Sequence, residues 1–80
     1  MNVPEMAALA RDHWKETCPK AYRQLEKDKL LQAESEAAAK LTLREMEALM
    51  KVKMSEQEAW QASRHLFIFL TKKQMEQMYL

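Results

Sequence analysis

Eighty residues fit one domain with a small core, and thirteen Lys and Arg against twelve Asp and Glu leave a net charge of +1, with the signs interspersed. That balance demands neither a nucleic acid nor an anionic surface. A single cysteine excludes an intramolecular disulfide and any zinc site with paired thiolates, and no apolar run approaches the roughly 18 residues that span a bilayer.

Glycine is absent and only Pro4 and Pro19 could break a helix, while Ala, Leu, Met, Glu, Gln and Lys dominate. These residues lose little side-chain freedom in a helix, and tight hairpins normally need the missing glycine. The fold expected is all-α: residues 1–80 as a single domain, a bundle of about four helices with one long central helix. The N-terminal residues carry Glu5 and no apolar core, so a secretory leader is not expected, and the lone Cys18 fits a reducing compartment.

In chain order, Asn2 is placed to cap a first helix, with Glu5 three residues on. Met6, Leu9, Ala10, His13 and Trp14 then recur at helical spacing, which predicts a helix over Val3 to Glu16. Pro19 suits a first helical position, where its fixed φ is preorganised and its missing N–H costs nothing. A short second helix follows, with Tyr22 and Leu25 on one side and an end near Lys27, after which Asp28 is expected to cap the next helix.

From Lys29 to about Lys51 there is no breaker. Leu31, Ala38, Thr42, Met46 and Leu49 fall on one stripe, with Leu30, Ala37 and Leu41 beside it, so this long helix is expected to be the spine. The connector Lys51 to Met54 must turn without glycine, and a left-handed lysine there would cost about 1–2 kcal/mol. Ser55 and Glu58 form a capping box ahead of Ala59, Trp60, Ser63, Leu66 and Phe67, which predicts a fourth helix. Thr71 and Gln74 repeat the motif ahead of a last turn or two that bears Met75, Met78 and Tyr79.

Between them lies His65-Leu66-Phe67-Ile68-Phe69-Leu70-Thr71, where five large apolar residues run together. Its first part continues the fourth helix. Ile68, Phe69 and Leu70 fit no single helical face, and the question is whether they close this chain's core or a neighbour's. The expected core is Trp14, Tyr22, Leu25, Leu41, Met46, Leu49, Trp60 and Leu66.

Candidate chemistry is sparse. His13, Cys18 and His65 are the only soft ligands, without the paired spacing of structural zinc, and no glycine-rich element offers an oxyanion hole beside Cys18. No catalytic, cofactor or metal residue is assigned and no enzymatic activity is expected. A helix-turn-helix reading of the third and fourth helices would put Glu56 and Glu58 where a recognition helix meets phosphates, so DNA binding stands second. Seven methionines favour a protein surface, because the unbranched thioether adapts to varied shapes. Met75 and Met78 share the terminal segment with Tyr79 and Leu80. Residues 68–80 are therefore the expected interface, with Ile68, Phe69, Leu70, Met75, Met78, Tyr79 and Leu80 as partner-binding residues. The occupant is a protein, with a second copy of the chain among the candidates, and no membrane is involved.

The words Ala10 to Trp14 (ARDHW), the Pro19 and Tyr22 pair, Glu36 to Leu49 (EAAAKLTLREMEAL) and Ser55 to Trp60 (SEQEAW) resemble small helical accessory proteins of unknown function encoded by tailed phages and prophages. Such proteins typically carry glycine in their connectors, where this chain has Lys29 and Lys53. The resemblance implies a bacterial cytoplasm, a mobile element and an accessory role that binds a host or phage protein.

Overall fold

A computed structural model describes residues 2–79, so the Leu80 expected at the interface lies outside the described residues. Among the described residues five helices follow one another: α1 Val3–Thr17, α2 Pro19–Lys27, α3 Leu31–Lys51, α4 Glu56–Phe67 and α5 Lys72–Tyr79. The all-helical class is as expected, but the arrangement is a five-helix globule rather than a bundle of about four. α3 is the longest element at 21 residues and packs against both α1 and α4. α2 folds back on α1, and α5 packs on α2.

The helix starts are local chemistry. Asn2 Oδ1 accepts the Glu5 amide at 2.9 Å. At α4 the box closes in both directions: the Glu58 amide donates to Ser55 Oγ, and the Ser55 amide donates to Glu58 Oε1, each at 3.2 Å. Those bonds hold the Glu58 carboxyl below the usual carboxylate range. Thr71 and Gln74 make the same exchange before α5, at 2.8 and 3.2 Å. α5 is thus a helix with its own start, not a tail on α4.

Two helix ends solve the lack of glycine in the same way. Lys29 sits at φ 59° and Lys53 at φ 72°, both left-handed. The Lys29 amide donates to Glu26 O and the Leu30 amide to Leu25 O; equivalently, Lys53 donates to Met50 O and Met54 to Leu49 O. These are paired Schellman closures in which lysine holds the position glycine usually takes, and the motif's apolar partners are present as Leu25 with Leu30 and Leu49 with Met54. Asp28 does not cap α3 as expected. It is consumed in the C-cap of α2, where its carboxylate accepts from Gln24 Nε2 at 2.9 Å, and α3 starts at Leu31 with no side-chain cap.

The core interleaves large side chains with alanines: Met6, Trp14, Leu25, Met46, Ile68, Leu70 and Met75 among Ala7, Ala10, Ala21, Ala38, Ala39 and Ala59. Alanine lets helix backbones approach closely, so the polar residues at the contacts are buried too. Thr42 Oγ1 donates to Ala38 O at 2.8 Å, and Ser35 Oγ accepts from Arg11 Nη1 at 3.0 Å, joining α3 to α1. Of the expected core, Trp14, Leu25 and Met46 are buried, while Tyr22, Leu49 and Trp60 pack half-buried against them. Leu41 and Leu66 are corrections, at 43 % and 49 % exposed. The buried side of α3 centres on Ser35, Ala39, Thr42 and Met46, and Leu41 lies about a third of a turn round from that line.

Candidate functional site

Residues 68–70 are where α4 gives way to α5, and α1 holds them there. The amides of Ile68 and Phe69 both donate to Arg64 O, at 3.1 and 2.7 Å, which closes α4. The backbone then leaves helical geometry, and two of its carbonyls need donors. Buried Trp14 supplies one through Nε1–H to Ile68 O at 2.9 Å, and His13 supplies the other through Nε2 to Leu70 O at 3.0 Å. Because a carbonyl can only accept, His13 Nε2 carries the proton, and Thr17 Oγ1 at 3.1 Å shares that hydrogen. Ile68 and Leu70 turn inward and are fully buried, whereas Phe69 stays half-exposed.

Phe69 is the hub of a ring cluster. Its centroid lies 5.0 Å from that of His13, 5.9 Å from Trp60 and 6.4 Å from His65, with the Arg64 guanidinium 5.8 Å away. A depression of about 470 Å³ opens beside it, lined by both histidines, Thr17, Thr71 and Lys72. His13 Nε2 is committed to Leu70 O, so it serves neither as a base nor as a metal ligand through that nitrogen. Among the described residues no three His, Cys, Asp or Glu side chains gather to hold a metal. Cys18 is buried at the joint of α1 and α2 and forms no disulfide.

The second feature is an uncovered apolar face. Leu30, Ala37, Leu41 and Ala48 run along the outer side of α3, all exposed. Beside them a narrow groove of about 80 Å³ is lined by Glu34, Leu41, Phe67, Met78 and Tyr79. Met78 is 55 % exposed there, and Tyr79 OH donates to Glu34 Oε2 at 3.3 Å. Burial, with the nearby Glu34 charge second, pushes the Tyr79 hydroxyl up to about 12.

The expected interface residues therefore divide. Ile68, Leu70 and Met75 are buried in the chain's own core, Phe69 and Tyr79 are half-buried, and Met78 is exposed. Ile68 to Leu70 close this chain's core, which answers the question the apolar run raises. Leu30, Ala37 and Leu41 were expected beside the core stripe and instead form the outer face. The signal for that second face was the width of the apolar arc on the third helix, wider than one packing surface needs.

No family model matches the chain, and neither a curated protein nor a solved structure matches it. No helix among the described residues is long and apolar enough to cross a membrane.

Proposed function

We propose that the chain is a small non-enzymatic protein-interaction module that docks its partner on the outer side of α3 and the adjoining groove. One observation carries the reading: Leu30, Leu41, Leu66 and Met78 are all more than two-fifths exposed, on a protein whose core includes six alanines. These four large side chains stay on the surface while alanine takes interior positions, which favours an outward-facing use of them. The first turn of α4 carries Glu56 and Glu58, whose charge opposes a phosphate backbone, so a protein occupant takes precedence over DNA. The phage-like words in the sequence suggest a bacterial cytoplasm and an accessory role as the setting.

The test is comparative capture from bacterial lysate with three baits: the full chain, a Leu41→Lys/Met78→Lys variant, and a control with Glu16→Lys and Glu26→Lys. The expected result is at least one protein held by the first and third baits and lost by the second. Identical retention by all three would refute a docking role for this face.

A further inference from the structure

The outer side of α3 carries more order than a patch of leucines. Leu30, Glu34, Ala37, Leu41, Arg44 and Ala48 follow one another at alternating steps of four and three residues, which is the spacing of a coiled-coil seam. All are exposed except Glu34, which is half-buried. The opposite side of α3 is already occupied by α1 and α4, and among the described residues the seam is reached from its edge by Tyr79, at Glu34.

We infer that the occupant of this seam is the α3 of a second copy of the chain, packed antiparallel about a two-fold axis level with Ala39. The inference rests on the reading of this face as a protein-docking surface. Antiparallel seams pair the two heptad positions with each other in every layer. With the axis at Ala39, Leu30 meets Ala48 of the second copy, Ala37 meets Leu41, and Glu34 meets Arg44, and the symmetry repeats each layer. Every layer thus combines a large side chain with a small one, or an acid with a base. A parallel pairing would instead set Glu34 on Glu34 and Arg44 on Arg44, and would leave alanine facing alanine. Shifting the antiparallel register by a heptad leaves layers at one end of the seam unpaired. The Ala39 register alone uses all six residues.

The charged layer is prepared on both sides. Tyr79 OH holds Glu34 through Oε2, which leaves Oε1 for an incoming guanidinium. No hydrogen bond or ion pair within the described residues engages Arg44. Met78 and Phe67, which border the groove beside Leu41, lie where the second helix would cover them.

Sedimentation velocity and light scattering on the full chain, up to near-millimolar concentration, provide the test. The full chain is expected to be a dimer, and Arg44→Glu and Glu34→Arg should each weaken it by about tenfold or more, since each reversal sets like charges together twice. An equimolar mixture of the two variants should regain the dimer, because every charged layer is then opposite in sign. Arg44→Glu alters an exposed, unbonded side chain and carries the test by itself if Glu34→Arg, which gives up the Tyr79 bond, lowers the melting temperature. A monomeric full chain, a dimer indifferent to Arg44→Glu, or a mixture of two well-folded variants that stays monomeric would each overturn the inference. A monomer that still loses its captured proteins when Leu41 and Met78 are charged would overturn the second copy as occupant and leave the docking face standing. Loss of both effects would overturn both readings.

Discussion

Replacing Lys29 and Lys53 with glycine should make this protein more stable, against the usual expectation that glycine weakens helical proteins. Both residues hold left-handed backbone at φ 59° and 72°, where a Cβ crowds the following carbonyl at a cost of about 1–2 kcal/mol. Glycine relieves that crowding but loses roughly 0.5–1 kcal/mol more chain entropy on folding than a residue with a Cβ. At the midpoints of those ranges the difference is a gain of about 0.5–1 kcal/mol at each site. Neither lysine side chain has a hydrogen bond or ion pair to lose among the described residues, and their amide bonds to Glu26 O and Met50 O survive the change. The sites lie at opposite ends of α3, so their effects should add to about 1–2 kcal/mol. For a domain of this size, that is about 4–16 °C in melting temperature. Urea unfolding monitored by helical ellipticity should show a higher midpoint at unchanged slope. Alanine at the same positions keeps the Cβ and should bring no gain. A double glycine variant no more stable than the double alanine variant would show that the left-handed turns are not strained.

Ser63 is fully buried on α4, and its hydroxyl has no hydrogen-bond partner among the described residues. An unsatisfied buried hydroxyl costs about 1–3 kcal/mol and alanine is the better helix former, so Ser63→Ala should stabilise by about 1–2 kcal/mol in the same urea assay. A loss of stability would mean that the hydroxyl is bonded in solution. Tyr79 supplies a pH signature. Its hydroxyl titrates at about 12 in the fold against 10.0 ordinarily, so its contribution is whole below pH 10 and drains away as pH rises from about 10 to 12. Tyr79→Phe should flatten that limb of the stability profile, and an unchanged limb would contradict the burial of the hydroxyl against Glu34.

Local chemistry made most of the helices legible. The Asn2 cap, Pro19 as a first residue, the Ser55/Glu58 box and the Thr71/Gln74 box all depend on neighbours within a few positions, and each is found in place. The two left-handed lysines were half legible, because a chain without glycine must use some other residue where a helix reverses. The Lys53 turn was open to that argument. Its twin at Lys29 was hidden by Asp28, a good capping residue that the α2 terminus consumes instead. Competition between ending one helix and starting the next cannot be read from a propensity at one position.

The outer face is hidden from the sequence for a tertiary reason. Periodicity reports that an arc is apolar, not which part of it a neighbour covers, so Leu41, a large residue on that arc, reads as core. Large residues do fill this interior: Trp14 is fully buried, its indole N–H ties Ile68 O, and Ile68 and Leu70 pack inward where the chain reverses at residues 68–70. Met75 is buried with them, and on α1, α3 and α4 buried alanine, serine and threonine stand beside Met6, Trp14 and Met46. Along α3, Leu31, Leu43 and Leu49 pack half-buried against that core, and Leu41, with Leu30 just before the helix, is left on the outside. Core closure by the C-terminal segment therefore depends on Trp14, and loosening the Trp14 to Ile68 contact should destabilise the fold through Ile68 and Leu70.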